Sequence, residues 1–189
     1  MNKLVITVVA AAVLSLFGGR VNSQKVASIP LINSARFQEE VEARKGHIIV
    51  LHIWRACCPE CRSIFTALPR LNTDSKKSGV EIISVLIDVP KYRTTAANCI
   101  RQNHGSIPTW RKNIDDDDDF ANTVSADWNG MLPFTQIYGS DGSIFRTISG
   151  VHSVAQIKAA IEACKKEDAA RIRGQVRVSR PIATTILTV

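Results

Sequence analysis

Aromatic residues make up only 6% of this 189-residue chain, and Gly and Pro number 10 and 7. With no short period repeating, those low counts exclude a collagen-like chain, a mucin-like stalk and a coiled coil. Charge is not in excess either. At 22% charged and 45% hydrophobic residues, the chain has the apolar content for a core, which excludes wholesale disorder and makes one compact domain the expectation. The longest uncharged apolar run, Leu4 to Phe17, has 14 residues, short of the roughly 20 that a helix needs to cross a membrane.

That run follows Lys3 and leads into Gly18, Gly19 and the small-residue pattern Val21-Asn22-Ser23. This is the layout of a secretory signal peptide over residues 1–23, with an uncleaved anchor as the alternative. No Cys follows the run closely, so a lipoprotein signal is not indicated. The mature chain is expected to work outside the cytoplasm, in a periplasmic or other extracytoplasmic compartment.

The formal charge of +7 invites a nucleic-acid reading until its location is considered. Residues 165–189 carry a net +4 and residues 24–164 only +1, so the domain itself is nearly neutral. An exported chain rarely meets nucleic acid, and a solvated basic tail is the simpler account of residues 165–189. Weak contact with a membrane surface is expected, if anywhere, at the signal segment or this tail.

Along residues 24–164 element types alternate. Ser34 is expected to cap a helix over 35–44, with Phe37, Val41 and Ala43 as its apolar stripe and Gly46 as its stop. His47 to Trp54 reads as a buried strand, Cys58 to Leu68 as a helix ended or kinked by Pro69, and Val80 to Val89 as a second buried strand. Thr94 to Asn103 reads as a helix closed by His104-Gly105, and Asp118 or Asp119 is expected to cap a short helix reaching Ala126. Phe134 to Tyr138 and Ile144 to Ser149 flank Ser140-Asp141-Gly142-Ser143, a hairpin signal. Ser153 is expected to cap a last helix carrying Val154, Ile157, Ala160, Ile161 and Cys164 at helical spacing. A parallel first half joined to an antiparallel second half predicts an α/β fold: a central mixed sheet with helices on both faces.

The chemistry concentrates in Trp54-Arg55-Ala56-Cys57-Cys58-Pro59-Glu60-Cys61-Arg62. Two thiols at i and i+3 in the first turn of a helix are close enough to form a disulfide, and unpaired backbone N–H groups at the helix start favour a thiolate on the first. That thiolate attacks a disulfide sulfur and the second thiol resolves the mixed disulfide. Cys58 is therefore the candidate nucleophile and Cys61 the resolving thiol. Pro59 and Glu60 lie between them as candidate tuning residues. The charge of Glu60 opposes the thiolate and favours a reducing couple, whereas Arg55 and Arg62 act the other way.

With these residues in place, the sequence resembles the thioredoxin superfamily, and within it the exported TlpA/ResA-like thiol-disulfide oxidoreductases. The likeness rests on the strand ending in Trp54, the WRACCPECR string, and Leu132-Pro133 ahead of a strand, hairpin and final helix, and it spans roughly residues 30 to 164. It implies a thioredoxin-like three-layer sandwich over residues 24–164. It also implies a cis Pro133 beside the disulfide and a substrate face made of Trp54, Leu132 and Pro133. The implied partners are protein disulfide substrates and an upstream thiol donor, with no cofactor and no metal. Two departures stand out. Pro69 follows Cys61 by eight residues where the family's helix proline usually follows by five. His52 occupies the place, six before Cys58, where thioredoxins carry a buried proton-relaying Asp. His52 is thus a candidate proton acceptor for Cys61, or else a core histidine with a hydrogen-bonded ring.

Three rival readings compete with this one. Cys57 and Cys61 with a distant His such as His152 resemble the copper sites of Sco-type proteins, since two thiolates and an imidazole suit copper. A peroxiredoxin-like reading needs a hydroxyl three residues before the reactive Cys, where Arg55 stands, and is set aside. A binding module with a structural disulfide predicts a buried bond. Elsewhere, Cys99 and Cys164 fall on apolar helix faces as buried free thiols, with a mutual disulfide as the alternative. The acid run Asp115 to Asp119 lacks calcium-loop spacing and reads as a solvated loop. Trp128 belongs either beside the active site or in the core.

Overall fold

The computed structural model describes residues 29–88, 90–103, 106–113 and 118–178. The signal segment, the end of the tail, His104-Gly105 and Asp115 to Asp117 lie outside the described residues. Among the described residues no helix is long and apolar enough to cross a membrane.

The elements in chain order are β1 (Leu31–Ile32), α1 (Ser34–Glu42), β2 (Ile48–Trp54), α2 (Pro59–Lys76), β3 (Val80–Asp88), a 3-10 turn (Pro90–Tyr92), α3 (Arg93–Gln102), β4 (Thr109–Asn113), α4 (Asp118–Val124), β5 (Phe134–Tyr138), β6 (Ile144–Ser149) and α5 (Val154–Val178). The six strands form one sheet in the order β1-β4-β3-β2-β5-β6. The pairs β1–β4, β4–β3 and β3–β2 are parallel; β2–β5 and β5–β6 are antiparallel. The mixed sheet expected from the sequence is present.

β2 explains the layering. All seven of its residues are buried, so both of its faces must be covered. Val50 and Trp54 pack with Phe65 and Leu68 of α2 and Ile157 and Ile161 of α5. Ile49, Leu51 and Ile53 pack with Phe37 of α1 and Phe120 of α4. Helices therefore cover both faces, giving the three-layer sandwich. Each fully buried Ile or Leu contributes about 1.5–3 kcal/mol relative to exposure.

Several local expectations need correction. Asn33, not Ser34, caps α1: its backbone is extended and its Oδ1 accepts the Arg36 N–H at 2.9 Å. β1 and β4 were not expected; β4 reads Thr-Trp-Arg-Lys-Asn, polar enough to pass for loop, but it is the strand that completes the edge between β3 and β1. The final helix does not end near Cys164. It continues to Val178, and Asp168 accepts the Ser140 N–H at 2.8 Å while Arg171 pairs with Asp168 and Asp141. The start of the segment expected to be a solvated tail is therefore helix bound to the β5–β6 hairpin.

Pro69 does not end α2 either, for a reason visible at the carbonyl it strands. In an uninterrupted helix the N–H of residue 69 would bond to the carbonyl of Phe65; proline has none. Asn103, at the C-terminus of α3 and 7% exposed, donates its Nδ2 to that carbonyl at 2.8 Å. Downstream, Leu71 and Ser75 remain buried, so packing carries the helix through the break. Replacing Asn103 by Ala is expected to cost about 1–3 kcal/mol in urea unfolding by orphaning a buried carbonyl. In a Pro69→Ala background, which restores the backbone donor, the same change is expected to cost less than about 1 kcal/mol; equal costs in both backgrounds would reject the compensation.

Candidate active site

β2 ends at Trp54, and the chain turns through Arg55 to Cys57 before α2 begins. Cys58 is the N-cap of α2 and Pro59 its first residue, a position where the missing N–H is not needed. With extended backbone at the cap, the Cys58 Sγ accepts the N–H of Cys61 at 3.1 Å. Cys58 and Cys61 are joined by a disulfide, with Cα atoms 5.2 Å apart. The two sulfurs sit in different surroundings: Cys58 is half-buried, whereas Cys61 is fully buried in the core formed by α2, α3, α5 and the sheet. An incoming sulfur can reach only the first.

Glu60, on the exposed side of the turn, brings its carboxylate within 3.8 Å of the Cys58 sulfur. Arg62 donates to the Ala56 carbonyl at 2.5 Å, bracing the turn.

The second half of the site comes from β5. β2 and β5 are antiparallel with Ile53 opposite Phe134, so the residue before β5 lies at the same sheet end as the turn into α2. That residue is Pro133, and the Leu132-Pro133 bond is cis. Pro133 is buried, Leu132 half-buried and Met131 exposed. Trp128 is both core and support: it packs on Phe134, with ring centroids 4.9 Å apart, and its indole N–H donates to the Met131 carbonyl at 3.0 Å, shaping the loop into Pro133.

Trp54 needs correction as a substrate contact. It is wholly buried and stacks on Phe65 of α2 at 4.0 Å. Alternation along β2 turns it under α2 with Val50, so it supports the dithiol helix from behind.

His52 also faces that layer. It is fully buried, its Nδ1 lies 3.0 Å from Thr135 Oγ1, and Nε2 has no hydrogen-bond partner among the described residues. Burial lowers its pKa to about 3; His152 pushes the same way, and the backbone of Cys61 opposes the shift. His152 is held by Thr135 Oγ1 at 2.9 Å and the Gly150 carbonyl at 2.6 Å, and burial lowers its pKa as well. Sequence reasoning gave Thr135 no role. A threonine in a strand is ordinary, and only the register that sets it opposite His52 marks it.

The residues of the copper alternative are not gathered. Cys57 is exposed, Cys61 is buried in the disulfide, and no cluster of three or more His, Cys, Asp or Glu suited to a metal occurs among the described residues. Cys99 and Cys164 are buried free thiols. Burial raises the pKa of both, that of Cys164 to about 12 with help from Asp168 and Glu167. Neither is a nucleophile near neutral pH.

No curated protein matches the chain in sequence. Among solved structures it is similar to a thiol:disulfide interchange protein of the thioredoxin family from Chlorobium tepidum, at 13% identity and a TM-score of 0.55, over 66% of this chain and 83% of that one. A DsbF homologue from Corynebacterium diphtheriae is 14% identical with a TM-score of 0.54, over 65% and 75%. A secreted Mycobacterium tuberculosis disulfide oxidoreductase homologous to E. coli DsbE is 14% identical with a TM-score of 0.50, over 65% and 85%. At such identities these likenesses establish the thioredoxin fold. The family profile described as AhpC/TSA matches residues 29–156, which is more than half of the sequence, and the chain thus belongs to the AhpC/TSA family.

Proposed function

We propose that this protein is an exported thiol-disulfide oxidoreductase that exchanges disulfides with protein substrates through Cys58 and Cys61, in the reducing direction, and draws its electrons from an upstream thiol donor. The observation that carries the reading is the asymmetry of the two sulfurs: Cys58 is reachable and hydrogen-bonded to a helix-end N–H, and Cys61 is buried one turn in. Reduced Cys58, as thiolate, attacks a substrate disulfide, forming a mixed disulfide and releasing one substrate sulfur. Cys61 then displaces the second. The backbone at Leu132 beside cis Pro133 is where an extended substrate segment would lie, with exposed Met131 next to it. His52 receives the proton that Cys61 gives up.

A structural disulfide would be expected to have both sulfurs shielded, which Cys58 is not. Peroxide reduction is disfavoured by Arg55, which occupies the place of the hydroxyl that chemistry needs. The reducing direction is supported by the Glu60 carboxylate near Cys58 and by the neutral, apolar setting of Cys61, both of which work against thiolate and hence against an oxidising couple.

The mature domain is expected to reduce a protein disulfide with dithiothreitol as electron source. Cys58→Ser should abolish turnover, and Cys61→Ser should accumulate mixed disulfides visible on non-reducing gels; turnover surviving in Cys58→Ser would sink the assignment. Glu60→Gln should make the couple more oxidising by about 10–30 mV in a glutathione titration, and a shift toward more negative potential would contradict the part given to Glu60.

Burial of His52 also makes a stability prediction. Its folded pKa of about 3 lies below the ordinary 6.5, so between those values the unfolded chain binds the additional proton. Stability is complete above about pH 6.5 and falls as pH drops toward 3, by at most about 1.4 kcal/mol per pH unit for this imidazole. His152 acts in the same sense. In urea titrations over that window His52→Gln should show a shallower acid loss than wild type; parallel curves would mean that His52 is not held neutral.

A further inference from the structure

Three polar side chains form one hydrogen-bonded chain under the dithiol, and two of them have no part in the reading above. The chain runs from the Gly150 carbonyl to His152 Nδ1 at 2.6 Å, from His152 Nε2 to Thr135 Oγ1 at 2.9 Å, and from Thr135 Oγ1 to His52 Nδ1 at 3.0 Å. All three side chains are buried, His52 and Thr135 completely.

The hydrogens along it follow from what each atom can do. A carbonyl only accepts, so Nδ1 of His152 carries the hydrogen. Its ring being neutral, Nε2 is bare and accepts the Thr135 hydroxyl. The Thr135 oxygen has then only lone pairs to offer, and His52 Nδ1 must donate to it. What remains is a bare, buried Nε2 on His52 without a hydrogen-bond partner. Strand alternation turns His52 to the same layer as Val50 and Trp54, the layer that holds Cys61, and the Cys61 backbone lies close enough to raise the ring's affinity for a proton, against the burial that lowers it. The titratable groups that share this layer with His52 are Cys61 from α2 and, through Thr135, His152 from the segment between β6 and α5.

We propose that Thr135 and His152 are positioning residues that keep the hydrogen on Nδ1 of His52, leaving Nε2 as the acceptor for the proton of the Cys61 thiol. This rests on the exchange reading. In the mixed disulfide, the Cys61 S–H bond breaks, its proton passing to Nε2 and its electron pair staying on sulfur. That sulfur bonds to the Cys58 Sγ. The bond from Cys58 to the substrate sulfur breaks and its pair leaves with the substrate thiolate, which solvent protonates. Two enzyme thiols are oxidised to a disulfide as one substrate disulfide becomes two thiols. The proton on Nε2 is then lost to solvent as the substrate departs, which returns His52 to the neutral ring whose Nδ1–H is held by Thr135.

The test uses the full-length protein, with histidine nitrogens labelled for NMR and resolution followed as release of a fluorescent thiol from a mixed disulfide on Cys58. Wild type should show His52 as the Nδ1–H tautomer. Thr135→Val, which keeps the shape and removes the hydroxyl, should move His52 toward Nε2–H. It should also slow resolution by roughly 10- to 100-fold near neutral pH, the deficit shrinking as pH rises and hydroxide takes the Cys61 proton. Thr135→Ser should restore both tautomer and rate. His152→Gln should perturb the tautomer in the same direction as Thr135→Val. A wild-type Nε2–H tautomer, or a Thr135→Val protein with unchanged tautomer and pH profile, overturns the proposal. Absence of any exchange by wild type overturns the functional reading and with it the proton step, while the spectrum still decides the tautomer by itself.

Discussion

The site depends on the antiparallel pairing of β2 with β5. That register sets Ile53 opposite Phe134 and His52 opposite Thr135, and so joins the two halves of the chain's chemistry: the turn carrying both cysteines and the loop ending in cis Pro133. It is held by apolar residues, not by the polar pair itself. Ile49, Leu51, Ile53, Phe134 and Tyr138 belong to the core on one face, and Val50, Trp54 and Ile137 to that on the other. A slip of one residue would turn each β5 side chain to the wrong face, displacing Phe134 from one core and Ile137 from the other at about 1.5–3 kcal/mol apiece. The cores thus hold Thr135 against His52 with more energy than one buried hydrogen bond supplies, about 0.5–1.5 kcal/mol.

The start of α2 makes the two sulfurs unequal. Because Cys58 is the cap and not a member of the helix, its sulfur receives the N–H of Cys61, one of the donors that no helical carbonyl can reach. To a disulfide sulfur that bond is weak; to a thiolate it is charge-assisted and roughly doubled in strength. Glu60 works against it at 3.8 Å, but from an exposed side chain whose charge water screens. The carboxylate is therefore a modest counterweight, and the capping bond favours negative charge on Cys58 over Cys61.

The parts of this arrangement that were legible in the sequence are those carried by local signals. Runs of β-branched residues marked β2 and β3, a Gly-containing turn marked the β5–β6 hairpin, and the spacing of Cys58 and Cys61 with a Pro between them marked the helix start. What was not legible depends on distant partners. Pro69 reads as a helix end or kink until Asn103, 34 positions later in the chain, supplies the lost donor. β4 is strand because β3 and β1 flank it, and its own residues are largely polar. Trp54 beside a cysteine motif suggests a binding surface, but the alternation of a strand buried on both faces sends it under Phe65. Asn33 and Ser34 are nearly equal as caps by residue type, and only the backbone geometry at Asn33 separates them.

Five cysteines leave many pairings open by count alone, and geometry narrows them to one. Cys57 and Cys58 are adjacent, and a trans peptide sets neighbouring Cα atoms 3.8 Å apart, below the 4.4–6.8 Å that disulfides usually span. Cys58 and Cys61, at 5.2 Å, fall inside that range because three helical residues bring the cap and the first turn together. Cys99 and Cys164 are removed from exchange by burial, which raises both thiols' pKa and so leaves little thiolate near neutral pH. Among the described residues, that leaves Cys57 as the exposed free thiol. It precedes the cap, so the helix-end N–H that favours ionisation falls on Cys58, its neighbour. The difference between the two adjacent sulfurs is therefore a property of where α2 begins: the capping N–H goes to the cysteine that immediately precedes the helix.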